Sequence, residues 1–280
     1  MVIRMKVGVV VKRGSDSSYK VAEELLRYGS RVLGLDMAIE REVSDVLPWD
    51  SIFDITMDKV DLLVVVGGDG TLLRAVQRLR FLDTPLVGIR SGRRGFLLDV
   101  EPSEAPERLR DIVEGRYEIK EYMLLKIILN SGAECYALND LLVASTRNTR
   151  SSIITLEVYV DDEPLYRFDG DGVIISTPLG SSAYTFSAGG PVVDSDMNAM
   201  VVTPLAPLQT NARPVVLAPN RVVKIVNAGD SEEALCIVDG ETKRRLSPLE
   251  EIVVSRFEQG VRIVRFGRFN TIRRVRACEF

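Results

Sequence analysis

Residues 62–66 constrain the fold more than any other stretch of the chain. They read LLVVV and stop at Gly67-Gly68-Asp69-Gly70. A strand with one wet face alternates apolar and polar residues; a continuous β-branched run marks a strand buried on both faces. Such strands belong to parallel sheets covered by helices, and the flanking signals agree. Residues 6–12 predict another buried strand and residues 85–89 a third. Helical spacing runs over 18–33 through Val21, Leu25, Leu26 and Val32, and over 71–80 through Leu72, Leu73, Val76 and Leu79. Residues 103–115 predict a further helix, with Ser103 as its cap and Gly115 as its stop. Strands alternating with helices predict a doubly wound parallel sheet.

After about residue 118 the rhythm changes. YMLLKIIL, IITLEVYV, GVIISTP, RVVKIVN, EALCIVDG, EEIVVSRF and GVRIVRFG follow one another, separated by turn residues. Helical spacing is nearly absent. This predicts a C-terminal antiparallel domain with two sheets, sandwich-like, beside the N-terminal α/β domain. The expected division is 1–118 and 119–267, with 268–280 packing back on the first part.

Composition excludes several classes. The formal net charge of the 280 residues is −4, whereas a general nucleic-acid grip wants a basic surplus. No apolar run approaches the roughly 20 residues of a membrane span. The opening MVIRMKVGVVV reads as a first buried strand rather than a leader, because a charge interrupts it and no small-residue cleavage site follows. Cys135, Cys236 and Cys278 are scattered without a CxxC pair. They read as reduced, buried thiols of a cytoplasmic protein, not a disulfide framework or a zinc site. Histidine is absent. Ser-His-Asp and Cys-His nucleophiles and imidazole-bound metal are therefore excluded, and proton transfer falls to Asp, Glu, Lys, Tyr or Cys.

Ligands bind beyond the carboxyl ends of strands in open parallel sheets, and the Gly67–Gly70 turn lies at such an end. Glycine admits close backbone approach and positive φ. The N–H groups opening the next helix suit phosphate. Asp69 is an odd neighbour for an anion unless it accepts a proton or holds a cation; alternatively it caps the helix. GGDGTLL fits neither the GxGxxG dinucleotide spacing nor a phosphate loop ending in GK[ST]. A second stretch, 169–193, reads DGDGVIISTPLGSSAYTFSAGGPVV. Its small residues make a wall for a flat ligand. Ser176, Thr177, Ser181, Ser182, Tyr184, Thr185 and Ser187 offer hydroxyls suited to riboses and base edges. The alternative is an ordinary serine-glycine loop, though so long a structureless loop is uncommon in a compact domain.

Together these motifs resemble the NAD kinase family. GGDGT at 67–71, LND at 138–140, the serine-glycine stretch, TPLAPLQTNARPVVLAP at 203–219 and VDGE at 238–241 match its signatures in order and spacing. The resemblance implies magnesium-dependent transfer of the terminal phosphate of ATP, or in some members polyphosphate, to the 2′-hydroxyl of the adenosine ribose of NAD, giving NADP. It implies that Asp69 is the proton acceptor. Gly70 and Arg74 match dinucleotide-binding positions, Arg74 being otherwise a solvated helix-face residue. Phe96 matches a position near the nicotinamide. Asn139 and Asp140 match the pair contacting adenosine. Arg150 matches a nucleotide-contacting position, or belongs to a solvated hairpin. Asp171 matches an acid holding the dinucleotide, and Asp169 stands where a basic residue is more frequent. Ser182, Ala183, Tyr184, Thr185, Phe186 and Ser187 match the adenosine-pocket stretch, Ala206 a small pocket residue and Glu241 a position usually Gln or His. Part of the 169–193 segment reaches a neighbouring subunit's site in this family. A homodimer or homotetramer is therefore implied, with sites near the subunit interface.

Departures from the family pattern are visible. Arg90 replaces a usual Asn, and with Arg93 and Arg94 adds positive charge for the phosphate donor. Leu179 and Ser182 replace threonines. A lipid or sugar kinase on a related scaffold, and a dinucleotide sensor without turnover, are the competing classes. The serine-glycine stretch argues against the first and Asp69, Asn139 and Asp140 against the second.

Overall fold

The computed structural model describes residues 4–92, 95–146, 153–229 and 232–267. Arg93, Arg94, Arg150, Cys278 and the segment 268–280 lie outside them. The described residues divide into two compact units, 4–121 with 261–267, and 122–260.

The first unit runs β1 (Lys6–Val11), α1 (Asp16–Arg31), β2 (Asp36–Glu40), β3 (Ile52–Phe53), β4 (Leu62–Gly67), α2 (Asp69–Arg78), β5 (Leu86–Arg90), α3 (Ala105–Val113) and β6 (Glu118–Tyr122). The second runs β7 (Leu125–Leu129), β8 (Glu134–Ala137), β9 (Asp140–Ser145), β10 (Ile154–Val160), β11 (Glu163–Gly170), β12 (Gly172–Ser176), a one-turn helix α4 (Tyr184–Ser187), β13 (Met200–Leu205), β14 (Val215–Leu217), β15 (Val223–Asn227), β16 (Ala234–Val238), β17 (Glu241–Leu246) and β18 (Glu251–Arg256). The last described strand, β19 (Val261–Arg265), belongs to the first unit again.

The first sheet has the order β3-β2-β1-β4-β5-β19-β6. All six residues of β4 are buried, as the unbroken apolar run requires. It pairs in parallel with β1 and β5. Helix α1 presents Ala22, Leu25 and Leu26, and α3 presents Ala105, Leu109 and Ile112, to a core shared with Val7, Val9, Val64 and Val87. The predicted helix capped by Ser103 is corrected: Pro102–Glu104 form a 3-10 turn, and α3 starts at Ala105. Pro102 presets the φ of that first turn and has no N–H to satisfy. The short β2 and β3 carry too few residues for a clear sequence period.

The second unit holds two six-stranded sheets, β11-β10-β15-β18-β7-β8 and β14-β13-β12-β9-β16-β17. Alternation puts Leu125, Ile127 and Leu129 inward on β7. One core joins Leu156, Ile225 and Val254 of the first sheet to Val143, Val173 and Cys236 of the second. Cys135 and Cys236 are free thiols, and burial pushes the Cys236 thiol up to about 12. No helix among the described residues is long and apolar enough to cross a membrane.

Strand β19, grouped with the second region on sequence rhythm, pairs in parallel with β5 instead. Its apolar residues Val261, Ile263 and Val264 are all fully buried, the pattern of an interior parallel strand. It carries Arg265, at 0% exposure the largest fully buried side chain. The Arg265 guanidinium donates to the Leu97 carbonyl at 2.9 Å and to Asp99 Oδ1 at 3.0 Å. Truncation takes this donor from the carbonyl of buried Leu97 and leaves a void, while Asp99 stays in reach of water. Arg265→Ala should therefore lower the unfolding free energy by about 2–4 kcal/mol, measured by denaturant titration.

Candidate functional site

The first unit's candidate residues gather where β4 ends. Gly68 is the extended N-cap of α2, and its N–H donates to Thr71 Oγ1 at 3.3 Å. Asp69 is therefore the first helical residue and not the cap. Its carboxylate turns to the segment after β5, accepting the Phe96 N–H at 2.8 Å and the Leu97 N–H at 2.9 Å. A Cβ on Gly95 would stand 3.3 Å from Asp69 Oδ1, so a side chain there would crowd the acid. The positive φ expected at Gly67, Gly68 or Gly70 is not found. These glycines act through room: a Cβ on Gly67 would overlap Thr71, while above Gly68 and Gly70 the space is open.

Charged residues surround that turn. Arg74 pairs with Glu42 at 2.9 Å on an exposed helix face. Arg78 reaches Glu40 and Glu42, each at 2.9 Å. Arg90, expected to serve a phosphate donor, is ion-paired to Glu101. Phe96 is half-buried. Glu40, Glu42 and Arg78 were not among the sequence candidates, because Glu40 and Glu42 lie about thirty residues upstream in no recognisable pattern.

In the second unit, three strand ends make one corner. Asp140 starts β9 opposite Ser176, and Leu141 pairs with Val238 at the end of β16. Asp239 follows with φ +48 and binds this corner together. Its carboxylate accepts the N–H groups of Leu138 (2.8 Å), Asn139 (2.8 Å) and Asp140 (3.1 Å). Its own N–H donates to the Asp140 carbonyl at 3.0 Å. Thr177 adds two bonds, Oγ1 to the Leu138 carbonyl (2.6 Å) and N–H to the Asn139 carbonyl (2.9 Å). Gly180 packs so closely that a Cβ would fall 2.0 Å from the Asn139 oxygen. Asp239 stood in the VDGE motif without an assigned role; the signal was its acid two residues before Glu241.

This wiring leaves the Asn139 and Asp140 side chains for other work. Asn139 Oδ1 is buried with no hydrogen-bond partner. Asp140 is 8% exposed, and burial, reinforced by Asp239, pushes its carboxyl up to about 7. Buried polar atoms are nearly always satisfied in native proteins, so an orphan acceptor suits a bound donor. Thr185 Oγ1 and Thr203 Oγ1 are also buried without partners, and both residues flank Gly190.

Three of the hydroxyls expected to meet a ribose already donate within the protein. Thr177, Ser181 and Ser182 spend theirs on backbone carbonyls. Ser176 Oγ and Thr185 Oγ1 remain, while Tyr184, Phe186 and Ser187 are exposed. Ser182 and Ala183 are half-buried. Glu241 is exposed near the corner and pairs with Lys243 at 2.7 Å.

Asp169, Asp171 and Ala206 are not at that corner. They stand at the opposite end of β12, where Gly172 pairs with Leu205, about 15 Å away along the strand. Asp169 accepts from Thr155 Oγ1 (2.6 Å) and Gln209 Nε2 (3.0 Å), which hold its carboxyl below the usual range. Asp171 donates its N–H to the Leu205 carbonyl, and Ala206 turns the chain at φ +45.

Residues 7–117 match the ATP-NAD kinase N-terminal domain, and residues 138–266 match the ATP-NAD kinase C-terminal domain. The chain belongs to the NAD kinase family. It is 38% identical to the NAD kinase of Aeropyrum pernix over 93% of this chain and 92% of that protein. It is 35% identical to the NAD kinase of Thermococcus kodakarensis, covering 94% and 95%. Among solved structures, an NAD kinase from Archaeoglobus fulgidus in complex with ATP is 26% identical, with a TM-score of 0.77 over 98% of this chain and 99% of that one. Yeast NADH kinase complexed with NADH shares the fold, at 24% identity and a TM-score of 0.89 over 98% and 86%. As an NAD kinase family member the chain is an enzyme, a phosphotransferase with an alcohol acceptor.

The N-terminal family match contains the Asp69 turn, and the C-terminal match contains the Asn139–Asp140 corner. Asp140 gives the corner a pH dependence. Its folded value near 7 lies above the ordinary 3.8, so between these values the folded chain keeps a proton that the unfolded chain has released. Stability therefore falls as pH rises through that window. Asp140→Asn removes the titration. Its unfolding free energy relative to wild type should rise by on the order of a few kcal/mol from pH 4 to pH 8, measured by denaturant titration across that range.

Proposed function

We propose that this enzyme transfers the terminal phosphate of ATP to the 2′-hydroxyl of the adenosine ribose of NAD, giving NADP and ADP. The observation that carries the reading is Asp69. Two backbone N–H groups hold its carboxylate, yet a carboxylate offers about four acceptor positions. The glycines beside it leave open space for a sugar and a phosphate.

The ribose 2′-oxygen attacks the terminal phosphorus, the bond to the bridging oxygen breaks, and ADP leaves. Asp69 orients the hydroxyl and takes its proton as the new P–O bond forms. The N–H groups opening α2 and the nearby arginines offset charge on the phosphoryl oxygens. Magnesium in such sites commonly binds one or two carboxylates plus substrate phosphates. A magnesium ion held on the donor's phosphates would supply charge neutralisation there.

Asn139 and Asp140 serve the adenosine end. The orphan Asn139 oxygen accepts from the adenine amine, and Asp140 binds a hydroxyl or base nitrogen. Thr185, in the serine-glycine stretch, offers a further hydroxyl. Tyr184 and Phe186 present exposed rings for stacking. On this reading Asp169 and Asp171, at the far end of β12, serve a neighbouring subunit's dinucleotide, and Ala206 is a small residue of a pocket wall. The active species is on this reading a homodimer or homotetramer.

Purified protein incubated with NAD, ATP and magnesium should form NADP, read by an NADP-specific dehydrogenase, in fractions eluting as an oligomer. NADP formed with polyphosphate but not ATP would change the donor and keep the acceptor. Tight NAD binding with no product from either donor would favour a non-catalytic dinucleotide sensor.

A further inference from the structure

A pocket of about 280 Å³ opens past the ends of β1 and β4, lined by Lys12, Arg13, Glu42, Gly70, Arg74 and Arg78 among others. Of its four cations, Arg13 is also paired with Asp45 at 2.6 Å and Arg78 also with Glu40 at 2.9 Å, and Glu42 is the carboxylate in the lining. Arg74 and Arg78 are the bidentate donors that suit phosphate. In this structure Glu42 occupies both. One oxygen takes Arg74 at 2.9 Å and the other takes Arg78 at 2.9 Å.

Glu40 holds this arrangement from behind. Its side chain is 3% exposed and accepts Arg78 Nη2 at 2.9 Å, while its other oxygen takes the Glu42 N–H at 2.6 Å. Arg13 donates to the Glu42 carbonyl. The Glu42 backbone and the Arg78 stem are thus fixed, whereas the Glu42 carboxylate is 38% exposed and its partner Arg74 53%. Exposed ion pairs contribute little and are readily exchanged for another anion. The buried Glu40 pair is the pivot that stays.

We propose that Glu42 is a built-in anion that competes with the phosphate groups of the donor for Arg74 and Arg78, and so sets the donor's affinity. The ligand class is a linear triphosphate, carried by ATP or by polyphosphate. This rests on the kinase reading above. The proposal gives Arg74 to the donor and not to the dinucleotide that the family resemblance implied for it, so acceptor affinity is independent of Glu42. Swinging the carboxylate away frees the Arg74 guanidinium and Arg78 Nη1 for phosphoryl oxygens, while Arg78 Nη2 stays on Glu40. Lys12 adds a further cation at the rim.

The test is Glu42→Gln, which keeps the side chain's shape and the backbone contacts and removes the charge. Tripolyphosphate with magnesium, titrated by calorimetry, should bind the variant about three- to tenfold tighter than wild type. KM for the donor should fall by a similar factor, with KM for NAD unchanged. A fall for ATP assigns the pocket to the nucleotide's triphosphate, and a fall confined to polyphosphate assigns it to the polymer. Equal or weaker tripolyphosphate binding by the variant overturns the proposal, as does its failure to bind either protein. Because the titration needs no turnover, an inactive wild type would sink the kinase reading while leaving the competition measurable.

Discussion

The grip of Asp69 on the Phe96 and Leu97 amides is the contact on which the first unit's functional end depends. Two charge-assisted bonds tie the start of α2 to the segment after β5. Arg265, arriving on β19 from 168 residues downstream, takes the Leu97 carbonyl on the other side of the same peptide segment. The acid is thus set by backbone donors, and those donors are set by a buried cation. A side chain fixed in this way loses little freedom when a substrate arrives, which is what a positioned proton acceptor needs.

The second unit solves a similar problem with the same chemistry. Asp239 collects three consecutive amides and turns the chain at positive φ, and Thr177 with Gly180 closes the corner. In both places a carboxylate spends its acceptors on backbone N–H groups to hold a turn. The difference lies in what is left over. Beside Asp69 the space above Gly68 and Gly70 is open, whereas Asp239 fixes the backbone of Asn139 and Asp140, the residues proposed for recognition. The raised Asp140 value follows from that design, since its own burial and then its neighbour's charge oppose ionisation.

Much of this was legible in the sequence. The unbroken 62–66 run predicted an interior parallel strand because only such strands lack a polar face. The alternation after residue 118 predicted antiparallel sheets for the converse reason. Motif order pointed to Asp69, Asn139 and Asp140. What was not legible depended on distant contacts. Strand β19 shares the β-rich rhythm of its sequence neighbours, and its place beside β5 is decided by which surface needs burying. The hydroxyls of Thr177, Ser181 and Ser182 read as ligand donors until the carbonyls they satisfy are known. Glu42 carries no local signal, because its importance comes from two arginines a helix away. Asp169, Asp171 and Ala206 share a motif with the adenosine stretch but are separated from the corner by the length of β12.

The most direct measurement is the turnover of Asp69→Asn. Asparagine keeps an oxygen for a backbone amide but cannot take the ribose proton at neutral pH. The variant should fold and still bind NAD, with kcat reduced by about a hundredfold or more. A kcat within about twofold of wild type, with binding intact, would contradict the assignment of Asp69 as the base.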